Sequence, residues 1–196
     1  MSLVLITAMQ NFIIFMSDGR VTRQKTIMEN EILREDYKKL RKVNANICIG
    51  FAGSKEPCEE VLKSLDSINS ENTTIDNVCQ IVLNEAKSVY SKYVLLGIPI
   101  EILMAVGGNQ YGQIKFRVFH STDGFKVQEY IPQGTHLNFA ILSPGWVDKS
   151  NLLDRINANP PVTIDNTEKA MGECIDKVSL LDPSVNTVKF TEIIRS

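Results

Sequence analysis

Residues 3–8 and 12–16 are two apolar, β-branched runs on either side of a polar Gln10-Asn11 pair. Such a pattern reads as a β-hairpin, because a short polar break between two strand-forming runs needs only a tight turn. A chain that opens in a buried strand has its first residues placed by a sheet, so they are held rather than frayed. The second run ends in Ser17-Asp18-Gly19-Arg20-Val21-Thr22, a small, polar cluster carrying a carboxylate and a guanidinium. Polar chemistry is therefore expected at the end of the second strand.

The 196 residues read as one domain, 1–196, with 43% hydrophobic content enough for a single well-buried core. A net charge of −2 gives no polyelectrolyte signature, so neither nucleic acid nor an anionic membrane is the expected partner. No apolar run reaches the roughly 18 residues of a spanning helix and no signal-peptide pattern opens the chain, which reads as cytoplasmic. Cys48, Cys58, Cys79 and Cys174 are scattered without a CxxC pair, and read as reduced, buried thiols rather than a disulfide frame or metal site. No cofactor motif is present.

Along the chain, residues 23–36 mix Glu29, Glu31, Glu35 and Asp36 with Arg23, Lys25 and Arg34, and read as a solvated excursion. A strand over 37–43, a turn at Asn44-Ala45-Asn46 and an apolar strand over 47–52 lead to Gly53. Ser54 is suited to cap a helix, with Glu56, Glu59 and Glu60 near its positive end and Pro57 in the first turn. Backbone N–H groups gather where a strand, a glycine and a helix start meet, and such points favour an oxyanion. From Thr74, the spacing of Ile75, Val78, Cys79, Val82, Ala86, Val89, Tyr90 and Tyr93 predicts a long helix ended by Gly97 and Pro99.

Strands are expected at 100–106, 113–120 and 125–131, joined by Gly107-Gly108-Asn109-Gln110 and by Thr122-Asp123-Gly124. A strand over 137–142 leads to Ser143-Pro144-Gly145 and a helix near 146–157, broken by the segment from Asn157 to Pro161. A helix over 166–181 buries Ala170, Met171, Cys174, Val178 and Leu181, and a strand over 186–194 closes the chain. Met9, Met16 and Met104 read as core, and Trp146 as packing over a helix start in preference to lining a cleft. His120 and His136 carry no triad pattern, since no GxSxG occurs. The order of strands, paired helices, strands, paired helices and strand suits an α/β chain of two stacked antiparallel sheets with a helical layer on each side.

The opening hairpin with Ser2 16 positions before Asp18 resembles the start of proteasome β-type subunits of the N-terminal-nucleophile hydrolase superfamily. The run Lys38-Lys39-Leu40-Arg41-Lys42-Val43 resembles that family's lysine-bearing strand. Ile47 to Gly53 resembles the Gly-Phe-Ala-Gly strand end of the peptidase in the bacterial two-component protease. The resemblance implies a four-layer αββα sandwich and a homo-oligomer. It also implies a terminal nucleophile acting on a peptide or amide; an unfoldase (ATPase) partner is not legible in the chain.

The resemblance gives Ser2 the nucleophile's place, Asp18 and Lys39 its support and Gly53 the oxyanion hole, with Lys38 an alternative to Lys39 and Arg20 beside Asp18. It matches Ser143, Asp182 and Ser184 to supporting positions, although Pro144 and Pro183 depart from the family pattern. A serine hydroxyl needs a base, and a free α-amine with a pKa of about 7.7–8.0 serves once Met1 is removed. With Met1 in place that nitrogen is an amide and cannot act. The expectations are a serine amidohydrolase or peptidase, an inactive subunit acting through assembly, or a hydrolase of small amides.

Overall fold

The computed structural model describes residues 3–24, 30–143, 154 and 162–196. In chain order its elements are β1 (Val4–Met9), β2 (Phe12–Asp18), β3 (Val21–Gln24), β4 (Asn30–Arg34), β5 (Leu40–Asn44), β6 (Ile47–Gly53), α1 (Lys55–Lys63) and α2 (Ile75–Leu95). There follow β7 (Ile102–Gln110), β8 (Gln113–His120), β9 (Gln128–Tyr130), β10 (Asn138–Leu142), α3 (Ile164–Leu181) and β11 (Lys189–Arg195). The opening hairpin forms as expected, pairing Val4 with Ser17 at one end and Met9 with Phe12 at the Gln10-Asn11 turn.

Every residue of β1 and β2 is buried. The reason is that both faces of their sheet are covered, which is why these strands read as continuous apolar runs rather than alternating ones. One face sends Val4, Ile6 and Phe15 into the gap between two sheets, against Leu40, Leu103 and Phe116. The other sends Leu5, Phe12, Ile14 and Met16 against Met171, Cys174 and Ile175 of α3. Each such side chain removed from water stabilises by about 1.5–3 kcal/mol. The two antiparallel sheets run β10-β1-β2-β11 and β5-β6-β7-β8-β9. Residues of α1 and α2, among them Cys58, Val61, Val78, Val82 and Ala86, cover the outer face of the second. The result is the four-layer αββα stack. At Gly50 the sheets approach so closely that an added Cβ would lie 2.9 Å from Val4 Cγ1.

Several local expectations are corrected. The excursion at 23–36 contains the hairpin β3–β4, in register from Val21↔Arg34 to Gln24↔Asn30 with a shift after Val21. Gly107-Gly108-Asn109-Gln110 is strand rather than turn, and the chain reverses at Tyr111-Gly112, both with positive φ. Glycine is required in that strand because a Cβ at Gly107 would strike Phe116 and one at Gly108 the Asn46 carbonyl. The strand expected at 125–131 shortens to β9, since Phe125 turns back into the α2 core. Leu181 ends α3 at 87% exposure rather than buried, and the last strand begins at Lys189, three residues late. The helix expected near 146–157, Trp146 and the break ending at Pro161 lie outside the described residues, apart from helical Asp154.

Candidate active site

The end of β2 meets the start of β1 through a two-way bond: Leu3 N–H donates to Asp18 Oδ1 at 2.8 Å, and Asp18 N–H donates to the Leu3 carbonyl at 3.2 Å. Asp18 Oδ2 accepts the Arg20 N–H at 2.9 Å. The Lys39 ammonium, brought over from the second sheet, is bonded to Asp18 Oδ1. Both side chains are sealed from solvent, at 2% exposure for Lys39 and 0% for Asp18. Burial pulls the Lys39 pKa below the ordinary lysine range, against the opposing pull of the Asp18 charge and hydrogen bond. Charge and hydrogen bonding are thus concentrated one residue from Ser2, which itself lies outside the described residues.

The two lysines left open by the sequence part company here. Lys38 Nζ bonds Glu192 Oε1 at 2.6 Å on β11, with Lys42 Nζ 3.6 Å from the other carboxylate oxygen. Burial alone would raise the Glu192 carboxyl, but the Lys38 bond and the charges of Lys38 and Lys42 outweigh it and leave the group below its ordinary range. Lys38 is therefore an edge tie between the stacked sheets, and it does not reach Asp18.

The segment after α3 is fastened against the Asp18 turn. Arg20 Nη1 donates to the Pro183 carbonyl at 2.5 Å and Nη2 to Glu35 Oε1 at 2.9 Å. Ser184, 1% exposed, gives both its N–H (2.8 Å) and its Oγ–H (2.5 Å) to Asp182 Oδ1. The sequence-matched pair Asp182 and Ser184 thus forms a unit, linked to Asp18 through Arg20 rather than by any direct bond among the described residues.

Asn186 is the participant that sequence reasoning missed. It is 5% exposed, accepts the Gly19 N–H at 2.9 Å and donates to the Glu35 carbonyl at 2.8 Å and Glu35 Oε2 at 2.9 Å. The Asn186 and Arg20 bonds hold the Glu35 carboxyl below its usual range. An asparagine following a helix and a proline suggests a turn, and nothing local points to partners more than 150 residues away.

Gly53 ends β6 with φ +99, and a Cβ there would run into the Glu101 carbonyl. Only glycine fits where β6 turns into α1. Ser54 does not cap α1 with its side chain; its Oγ instead accepts the Glu101 N–H at 3.0 Å. The first-turn N–H groups of α1 consequently lack a side-chain cap beside Gly53. Ser143 follows Leu142, the register partner of Val4, and so lies near the start of β1. Pro144 and Gly145 lie outside the described residues. All four cysteines are buried and free. Among the described residues no group of His, Cys, Asp and Glu is arranged to hold a metal ion, and no helix is long and apolar enough to cross a membrane.

Two stacked antiparallel sheets between helical layers, with the opening hairpin's end tied to a lysine of the second sheet, define a proteasome-like N-terminal-nucleophile hydrolase fold. Solved structures bear this out along the whole chain. HslV from Trypanosoma brucei superimposes with a TM-score of 0.63 at 15% identity, covering 99% of each chain. Anbu from Pseudomonas aeruginosa, in a structure of the helical assembly of its complex, gives 0.73 at 11% identity, over 98% of this chain and 81% of that one. A Gly-1 mutant of Anbu from Hyphomicrobium sp. strain MC1 gives 0.72 at 13%, over 100% and 83%. No family model and no curated protein matches the sequence. At these identities the likeness speaks to the fold alone.

Proposed function

We propose that the chain is an N-terminal-nucleophile amidohydrolase or peptidase in which Ser2, freed by removal of Met1, attacks the carbonyl carbon of an amide. The α-amine takes the Ser2 hydroxyl proton as the Oγ–C bond forms, and delivers it to the amide nitrogen as the C–N bond breaks. Water then adds to the acyl ester, losing a proton to the same amine, and the acid departs with Ser2 restored. The Lys39 ammonium favours the unprotonated amine and the negative charge that develops on oxygen. Asp18 holds Lys39 in position, and the Gly53 N–H serves the oxyanion.

The observation that carries this reading is the Asp18 carboxylate, which bonds both the Leu3 N–H and the Lys39 ammonium. A fully buried lysine–carboxylate pair is an expensive feature for a fold to keep, and it stands beside the residue whose reactivity it would tune. Self-association belongs to the same reading, supported by the helical assembly of the similar Anbu complex.

The test begins with the intact mass of protein expressed from its start codon, followed by hydrolysis of a peptide-amide library. Loss of Met1, turnover by the wild type, none by Ser2→Ala or Lys39→Met and retained turnover by Lys38→Met are expected. Retention of Met1 without turnover would refute the reading in favour of an inactive, assembly-forming subunit. Unchanged hydrolysis by Ser2→Ala would refute the choice of nucleophile.

A further inference from the structure

At the end of the sandwich that carries Gly53, a half-buried carboxylate makes no hydrogen bond or ion pair among the described residues. Glu101 immediately precedes β7 and is stitched to Ser54 in both directions: its N–H donates to Ser54 Oγ at 3.0 Å, and its carbonyl accepts the Ser54 N–H at 2.7 Å. The same carbonyl excludes any side chain at Gly53. Leu103, two residues on, belongs to the inter-sheet core and is paired across the ladder with His120. Strand alternation therefore puts Glu101 and His120 on one face, toward the gap between the sheets.

Three neighbouring carboxylates have partners. Asp18 has Lys39, Glu35 has Arg20 and Asn186, and Glu59 accepts the Tyr37 hydroxyl at 2.7 Å. Among the described residues the half-buried Glu101 carboxyl makes no hydrogen bond or ion pair. Burial lifts it above the ordinary carboxyl range, opposed by the charge of His120. A partly desolvated carboxylate without a donor is stabilised by any cation that reaches it.

We propose that Glu101, with His120 beside it, is a specificity determinant that takes the cationic side chain of a lysine or arginine next to the amide to be cleaved. Gly53 pairs with Ile102 across the β6–β7 ladder, so Glu101 stands about one strand spacing, roughly 5 Å, from the residue given to the oxyanion. A carbonyl at Gly53 and a cation at Glu101 therefore belong to one substrate residue or its immediate neighbour. The inference rests on the reading of this end as the reactive one. It concerns binding, however, and is separable from turnover.

The test uses the full chain carrying Ser2→Ala, titrated by NMR with capped tripeptide amides that differ only in a central lysine, norleucine or glutamate. The lysine peptide is expected to bind about fivefold tighter than norleucine, the gain of a partly exposed ion pair. Glu101→Gln should erase that preference, and Glu101→Lys should turn it toward the glutamate peptide. Both variants keep the Ser54 bonds, which use only main-chain atoms of residue 101. Equal affinities for lysine and norleucine, no binding of any peptide, or a lysine preference that survives Glu101→Gln would overturn the proposal. Wild-type turnover is read in parallel: lysine preference without hydrolysis refutes the nucleophile and leaves the specificity site standing, and hydrolysis without lysine preference does the reverse.

Discussion

Replacing Asp18 by Ala removes the acceptor of three donors at once: the Leu3 and Arg20 N–H groups and the Lys39 ammonium. Lys39 is 1% exposed, so a charge left there has no water to turn to. Removing one member of a buried pair costs about 3–5 kcal/mol, and a buried N–H left unpaired about 1–3 kcal/mol. Lys39 limits the loss by releasing its proton, which burial already eases. The expected net destabilisation is about 4 kcal/mol, a large part of the roughly 5–15 kcal/mol that holds a domain together.

Lys39→Met leaves Asp18 two N–H donors and should cost less, about 1–3 kcal/mol. In the double variant no ammonium remains to be stranded, so its loss should fall short of the sum of the single losses by about 2–3 kcal/mol. Urea unfolding at pH 7.5, followed by circular dichroism, measures all four proteins. A loss below about 1 kcal/mol for Asp18→Ala, or strict additivity in the cycle, would refute the buried coupling on which the site description depends.

Three further outcomes are expected. Gly53→Ala should destabilise by about 3 kcal/mol, since it adds a clash with the Glu101 carbonyl to a left-handed φ of +99. Gly124→Ala, at φ +69 with open space around it, should lose about 1 kcal/mol; equal losses in calorimetry would contradict the close approach at Gly53. Thr7→Val should stabilise by about 1 kcal/mol in urea, because Thr7 Oγ1 is buried with no hydrogen-bond partner among the described residues. A loss instead would reveal a partner. Burial pushes the Cys48 thiol from its usual 9 up to about 12, so the folded state keeps a proton that the unfolded chain releases. The stability that this contributes is intact below pH 9 and is lost by about 1.4 kcal/mol per pH unit as pH rises toward 12. Cys48→Ala should flatten the alkaline fall by that slope, and an unchanged profile would refute it.

Much of the architecture was legible because local periodicity already contains it. The hairpin followed from two apolar runs and a polar break, and α2 from its three- and four-residue spacing starting after Thr74, whose Oγ1 accepts the Asn77 N–H at 3.2 Å. The errors have a common origin in contacts made across the fold. Ser54 has the composition of a cap, yet its oxygen is taken by Glu101 from the adjacent strand. Gly107-Gly108 has the composition of a turn, yet it is the slot into which Phe116 and the Asn46 carbonyl press. Residues 23–36 have the charge of a solvated loop, yet Arg34 and Glu35 lie in or beside a hairpin whose partners come from Val21 and Asn186.

By itself the sequence determined the opening hairpin and the helices α1, α2 and α3, and that Ser2, Asp18 and Gly53 stand in a register resembling a terminal-nucleophile hydrolase. Strand pleat and helix pitch are properties of neighbouring residues, so they can be read in order along the chain. Only the tertiary structure decided which of Lys38 and Lys39 bonds Asp18. Both sit in one charged run, and their different partners, Glu192 and Asp18, come from the stacking of β5 beneath β11 and β2. It alone brought Asn186 to Gly19 across 167 residues and left the Glu101 carboxyl without a hydrogen bond or ion pair among the described residues. Pairing over such distances is set by how the sheets stack and how fully water is excluded between them, and no local pattern encodes either.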